Sequence, residues 1–513
     1  MATTGATDSA DSATPLDSVI SQKLSSWTVV NYSMMYWPIS MALLPVGVYV
    51  QPYYAELGIS LYAMASIIFF ARISDVVTDP LIGVLSDKTR SRFGRRKPWL
   101  VVGTPLMVVS VWMLFLPGEN PTLLYFGFWS VMMYLAFTVV DLPYYAWGAE
   151  LSTDYDERTR VTTRREQFHF VGTVTAVTIP LIAATAIYLS NTDFTTFSEF
   201  LDSFSNDFRA IMASRAGNPG VILEWLAIFI LVALPLTVAI AVMFVSEPDQ
   251  KVIPRQKPTL KASMSVIRRN GPFIRLIICY SFSVTGAAMT GALSYFFVKH
   301  VIQAGELYPI YLLVYYMASV LGLPLWMRLS EKVGKHRAYI VSIIWFSIWA
   351  SVIPFIPAGW FSVFLIVMVF KGSAVGALLA MPASMAADAV DIDSARTGQQ
   401  RAGLYFSVWG MSKKGGTALG GAIGLAAIQF FGFDPQADPA LGGMLGGNSE
   451  SSLMWVTLLY AIIPAAFKII ALPFIWHYPL TEERQLRIRG RIERRGVALK
   501  AGTGDGSVPA STG

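Results

Sequence analysis

The chain has 513 residues, 54% of them hydrophobic and only 14% charged, with a formal net charge of +6 and a mean hydropathy of +0.52. A soluble chain carries roughly 25% charged residues, so this balance excludes a string of water-soluble domains. One cysteine, Cys279, excludes a disulfide framework, and the four histidines (His169, His300, His336, His477) are too scattered for a histidine metal site.

The start, MATTGATDSADSATPLDS, is small, polar and slightly acidic. It lacks the basic start and apolar core of a cleaved signal peptide, and residues 1–27 read as a disordered tail. Apolar runs, each able to cross about 30 Å of hydrocarbon, then recur. They predict spans over 28–50, 60–84, 98–117, 121–148, 167–190, 221–245, 274–298, 305–328, 338–357, 361–388, 403–432 and 452–476. Residues 246–273 read as a linker between two halves, 28–245 and 274–476. Residues 477–513 form a basic tail ending in the low-complexity AGTGDGSVPASTG.

The connecting segments alternate in charge. Segments 85–98, 150–166, 246–273, 328–337 and the C-terminal tail are rich in Lys and Arg, whereas 51–59, 118–120, 358–360 and 433–451 have none. Loop 191–220 carries only Arg209 and Arg215. The positive-inside rule places both termini in the cytoplasm and makes the span count even. The net positive charge follows from that asymmetry and calls for no nucleic-acid partner, although a basic tail can touch anionic membrane lipid.

An internal repeat supports the division into halves. Leu85-Ser86-Asp87-Lys88 ends the second span, and Leu329-Ser330-Glu331-Lys332 ends the eighth. The expected fold is all-α and integral to the membrane: twelve transmembrane helices in two six-helix, pseudo-symmetric bundles, with a solute site between them near the midplane.

Charged residues inside the spans mark the candidate chemistry, because a charge within the bilayer is costly and usually faces a bundle interior or an aqueous path. In FFARISDVVTDPLIGVLSDK, Asp75 and Asp79 stand at i, i+4, about 40° apart on one helix face. Two carboxylates one turn apart suit a hard cation or a shared proton. A structural pair of Arg72 with Asp75 is the competing reading. Asp141 lies in the fourth span, with Thr138 on the same face and Pro143 positioned to kink the helix. Its roles are a coupling site or an interhelical hydrogen bond. Lys414 in the eleventh span either pairs with the N-half carboxylates or snorkels to the surface. Lys371, about ten residues into the tenth span, contacts an anionic solute group or pairs with a carboxylate. The glycines after Lys414 follow no strand, which excludes a nucleotide loop and leaves close helix packing. Tyr144, Tyr145, Trp147, Tyr315, Tyr316 and Trp409 are candidate cavity aromatics. The loop Lys88-Thr-Arg-Ser-Arg-Phe-Gly-Arg-Arg-Lys is a topology signal and a candidate latch between the halves.

GVLSDKTRSRFGRRKPWL resembles the loop signature of the major facilitator superfamily. More narrowly, ARISDVVTDPLIGVLSD, DLPYYAWGAELSTDYDERTR and MPASMAADAVDIDSARTGQQRAGLYFSVWGMSKKGG resemble the glycoside–pentoside–hexuronide:cation symporter family, over nearly the whole membrane region. The resemblance implies a cation site of Asp75, Asp79, Thr78, Thr138 and Asp141, with Asp75 and Asp79 as metal ligands if the ion is Na+. It implies a solute site of Asp141, Tyr145, Arg165 and Lys414, to which the residues of this chain add Lys371. Thr78 stands where well-studied members have asparagine, which leaves Na+ or H+ open as the coupling cation. The first span lacks the family's sugar-binding aspartate.

The expected function is cation-coupled symport of a small polar solute (a sugar, glycoside or uronate) by alternating access. The chain is expected to be a monomer in the bacterial inner (plasma) membrane, with no enzymatic activity and no cofactor beyond the coupling cation. Lipid or lipophilic organic-acid transport on the same fold is the alternative. A non-transporting sensor is the weaker rival, because the terminal tails are expected to be too short for an appended domain.

Overall fold

The computed structural model describes residues 23–152, 155–190, 218–247, 265–397, 402–441, 446–480 and 487. The expectations for Arg209, Arg215, most of the linker and nearly all of the terminal tails lie outside them.

The described residues fold into helices with no strand. The first span is broken. Helices α1 (Ser26–Ser33) and α2 (Tyr36–Val48) lead into α3 (Val50–Glu56), bent by 43°. Pro52, the third residue of α3, donates no hydrogen bond back to Val48 and its ring crowds that carbonyl, so the helix breaks at Tyr49. The N-terminal half continues with α4 (Leu61–Lys88), α5 (Lys97–Phe115), α6 (Leu123–Glu150), α7 (Tyr155–Ser190) and α8 (Pro219–Phe244). The C-terminal half contains α9 (Gly271–Phe296), α10 (Tyr308–Val333), α11 (Lys335–Val352), α12 (Phe361–Ser373), α13 (Val375–Thr397), α14 (Ala402–Phe430), α15 (Glu450–Thr457) and α16 (Ile463–Trp476).

These segments occupy the twelve expected spans. Among the described residues, nine are long and apolar enough to cross a membrane on their own, and the bent first span makes ten. The other two, α7 and α14, are longer than a bilayer requires but carry Arg165, His169, Lys413 and Lys414. Arg165, His169 and Lys414 are tolerated because they turn toward other helices, whereas Lys413 is exposed.

Side chains start several helices. Thr122 Oγ1 accepts from Tyr125 N, Asn270 Oδ1 accepts from Phe273 N, and Ser449 Oγ accepts from Ser452 N. Each satisfies one of the orphan donors of a first turn. Gly334, at φ +88°, makes the sharp turn from α10 to α11, a conformation that costs glycine little.

The two bundles meet through α4 on α14, α2 on α9 and α7 on α10. Gly420 permits the close approach of α14 to α9 within the C-terminal bundle, since a Cβ there would collide with the Thr285 carbonyl oxygen. Both bundles share a buried core that includes Tyr49, Tyr54, Phe296, Tyr308 and Tyr460. A second core, around Phe273, Trp326, Tyr339 and Tyr405, belongs to the C-terminal bundle alone and sits nearer its basic end.

At the cation-poor end the bundles are clasped. Lys299 Nζ lies 2.6 Å from Glu56 Oε1, Tyr295 OH donates to the same oxygen at 3.1 Å, and Gln436 Nε2 donates to Glu56 O at 3.0 Å. Gln429 Oε1 accepts from Ser60 Oγ and Tyr62 N at the start of α4. Lys299 is a cation at an end whose other loops have almost none, and the anionic Glu56 is what holds it there.

Among the described residues, the arginine loop between α4 and α5 is held by acidic groups of α4, α6 and the segment after α8. Arg96 donates to Ser86 Oγ at 2.8 Å, Asp87 Oδ1 at 2.6 Å and Glu150 Oε1 at 2.8 Å, and Arg95 pairs with Glu150 at 3.2 Å. Glu247 Oε1 accepts from the backbone N–H groups of Arg95 and Arg96, where the positive end of the α5 dipole favours an anion. Ser86, Asp87 and Glu150 belong to the N-terminal half and Glu247 to the start of the linker, because the loop returns against α6 and the residues just after α8. In the second half, Lys335, just after the repeated Leu-Ser-Glu-Lys, pairs with Asp388 at 2.7 Å.

Candidate cation and solute site

Helix α4 presents Asp75 and Asp79 on the face that packs against α14. Asp75 is 3% exposed. Lys414 reaches across from α14, with Nζ at 2.5 Å from Asp79 Oδ2 and 3.3 Å from Asp75 Oδ2. One ammonium therefore serves both carboxylates at the seam between the bundles. Its neighbour Lys413, a 100° rotation away, is exposed.

Arg72 makes a looser contact with Asp75, at 3.9 Å, and places its guanidinium 4.1 Å from the centre of the Tyr134 ring. Charge pairing weakens with distance, so Lys414 is the closer partner of the two carboxylates.

Helix α6 supplies the next residues. Thr138 Oγ1 donates to Asp79 Oδ1 at 3.1 Å. The Asp141 Oδ1 atom is buried with no hydrogen-bond partner, and so is Thr78 Oγ1 on α4. Buried polar atoms are ordinarily satisfied, so these oxygens are open valences beside a charged cluster. Asp141 lies within the fields of Arg165, Lys414 and Asp79.

Asp75, Asp79, Thr138 and Thr78 make an all-oxygen donor set, which suits a hard cation, and the Lys414 ammonium already places one positive charge between the carboxylates. No group of three or more His, Cys, Asp or Glu among the described residues stands ready as a metal cluster. A cation here would draw on hydroxyls as well as carboxylates.

Beyond Asp141, α2, α6 and α7 bring an aromatic and basic group together. The Arg165 guanidinium stacks 3.8 Å from the Tyr145 ring centre and pairs with Glu166 at 2.8 Å. Tyr145 OH and Tyr36 OH are 2.9 Å apart, and the His169 ring lies 5.3 Å from that of Tyr36. His169 Nδ1 is buried without a partner. Sequence reading missed Tyr36 and His169. The only signal for His169 was its place one turn after Arg165 in α7.

The remaining candidates divide. Tyr144 and Trp147 are fully buried against Tyr32 and serve packing. Trp409 stacks on Tyr280 at 3.9 Å. Tyr316 packs beside Tyr315, and Tyr315 lines a small cavity in the C-terminal bundle. Lys371 is 1% exposed and stands apart from the carboxylate cluster, with no hydrogen-bond partner.

A family model described as MFS/sugar transport protein matches residues 32–482. The chain is 22% identical over 494 residues to a glucuronide carrier protein homolog of Escherichia coli (strain K12), covering 93% of this chain and 97% of that one. It is 24% identical over 482 residues to the sodium-dependent lysophosphatidylcholine symporter 1-A of Danio rerio, covering 90% and 87%. Among solved structures, a bacterial homolog of the human lysosomal transporter Spinster, inward-facing and unoccupied, superposes with a TM-score of 0.62 at 14% identity, covering 90% of this chain and 98% of that one.

Proposed function

The chain belongs to the MFS/sugar transport protein family, and from that premise we propose that it is a cation-coupled symporter of a small polar solute. It is a multi-pass membrane transporter, not an enzyme. The observation that carries the reading is the single ammonium of Lys414 held between Asp75 and Asp79 at the seam of the two bundles. A charge held by a lysine in one state and by a mobile cation in another is an exchangeable site, and exchange at a seam links ion binding to the bundles' relative position.

In this reading Asp75, Asp79, Thr78 and Thr138 bind the cation, as metal ligands if the ion is Na+ and as a proton site if it is H+. Asp141 joins that site to the solute, which lies against Tyr145 and Arg165, with Tyr36 and His169 beside them. Lys414 balances charge while the cation is away. Lys371 contacts the solute from the other bundle. The halves are 28–245 and 274–476, joined by 246–273, with both termini cytoplasmic in the bacterial inner membrane and the chain a monomer. The clasped cation-poor end would then be the outer end.

The solute class favoured is a sugar, glycoside or uronate, supported by the likeness to the glucuronide carrier homolog. The likeness to the lysophosphatidylcholine symporter supports lipid transport on the same fold as the second reading. Uptake of radiolabelled glucuronate and of lysophosphatidylcholine into proteoliposomes, under an imposed Na+ or H+ gradient, tests both. Accumulation that collapses when the gradient is dissipated is expected for one solute and one ion. Equal uptake with and without any gradient would overturn symport.

A further inference from the structure

Two lysines lie buried in the C-terminal bundle, away from the carboxylate cluster. Lys371 on α12 and Lys468 on α16 are each 1% exposed. They share one aromatic ring: their ammonium nitrogens lie 5.1 and 4.6 Å from the centre of Phe346 on α11. Lys371 also lies 4.7 Å from the Tyr460 ring. Lys468 Nζ donates to the Ser283 carbonyl at 3.3 Å, whereas Lys371 Nζ donates to nothing. Among the described residues neither lysine forms an ion pair.

Burying an ammonium without a counter-charge is costly, and burying two around one ring adds their repulsion. Aromatic faces repay only part of that. Substituting a methionine would remove the cost, so the pair is a poor device for stability alone. A bound anion would offset that cost, lying against Lys468 with the charge of Lys371 behind the shared Phe346 ring.

There is room for one. A cavity of about 70 Å³ lies against Lys468 and is lined by Tyr280, Ser283, Thr290, Tyr315 and Phe346, with Leu379 exposed at its rim. Four of these side chains carry hydroxyls. The volume is far below the roughly 300–1,000 Å³ of a site for a whole ligand, so it fits a group rather than a complete solute.

The surrounding helices are irregular at the same place. The tenth span breaks at Ala374, three residues after Lys371, and Tyr460 lies in the π-helical turn Leu458–Ile462 that leads into α16. Single π-helical turns are rare and recur at functional sites.

We propose that Lys371 and Lys468 form an anion subsite in the C-terminal bundle that takes the carboxylate or phosphate group of the transported solute. This rests on the reading of the chain as a solute transporter and narrows its solute to an anionic one. The positive pair is unsuited to the coupling cation, which has its own oxygen-lined site at Asp75 and Asp79.

The test uses the purified full-length protein in detergent, with thermal stability read against matched probes. Glucuronate is compared with glucose, glucose 6-phosphate with glucose, and lysophosphatidate with monoacylglycerol. Binding stabilises by mass action, so the acidic member of at least one pair should raise the melting temperature more than its neutral partner. The pair that responds tells a sugar acid from a lipid headgroup. Lys371→Met and Lys468→Met should each weaken that binding about tenfold or more, the loss expected for a hydrogen bond to a charged group, while the unliganded melting temperature stays level or rises. No preference for charge in any pair, or unchanged affinity in both variants, would overturn the subsite. The two variants are read separately, so one that folds suffices to assign the preference to the lysine pair rather than to Arg165. Stabilisation by Na+ or by protons is recorded in the same samples. A cation response without anion preference sinks the subsite and leaves symport standing. The reverse result does the opposite.

Discussion

Lys414 and Asp79 meet across the seam between the two bundles, ammonium to carboxylate at 2.5 Å, from helices at opposite ends of the chain. Each is only about one quarter exposed. Most of the proposed coupling chemistry is contained in that pair, because whatever replaces the ammonium must arrive as a cation.

Asp79→Asn keeps the shape of the side chain and removes its charge. Gradient-driven accumulation in proteoliposomes should be abolished, while exchange of labelled for unlabelled solute persists. Concentrative uptake equal to that of the unmodified chain would rule out Asp79 as a coupling residue.

Lys414→Met leaves two facing carboxylates with only Arg72 nearby, at 3.9 Å from Asp75. We expect a loss of about 1–3 kcal/mol in the absence of a coupling cation, less than for a fully buried pair because the seam is partly solvated. Combining it with Asp79→Asn should restore part of that loss, since the two residues are in contact and their effects are not additive. Purely additive melting shifts would show that the pair is not coupled.

Glu56→Gln removes the charge that holds Lys299 at the cation-poor end. An ion pair this exposed is worth roughly 1 kcal/mol or less, so the clasped-to-open ratio should fall by up to about fivefold. Spin labels placed on the two bundles at this end would report it as a new, longer distance. An unchanged distance distribution would mean the hydrogen bonds of Gln429 and Gln436 suffice alone.

Gly420→Ala places a methyl group against the Thr285 carbonyl, whereas Gly421 faces open space. Overpacking of this kind costs about 1–3 kcal/mol. Thermal melting should show that loss for Gly420→Ala and little change for Gly421→Ala. Equal melting temperatures would mean that α9 and α14 can move apart freely.

The spans, their number and the charge asymmetry were legible in the sequence because lipid offers no hydrogen-bond partners to the backbone. Each crossing segment must satisfy itself as a helix, and its apolar length is written locally. The spacing of Asp75 and Asp79 was legible for the same reason, since one helical turn fixes their common face. What the sequence left open was every relation between distant helices. It allowed Lys414 to snorkel, and the structure turns it onto Asp79 and Asp75. It offered the arginine loop as a topology signal, and the structure shows that loop held by Glu150 and by Glu247 at the start of the linker. It singled out Lys371 and passed over Lys468, although both carry the same local mark, a lysine inside an apolar span. Only the packing of α11, α12 and α16 brings both ammonium groups onto the Phe346 ring. Helices are set by short-range hydrogen bonding and hydropathy, but which charges face one another is decided by how the finished helices pack.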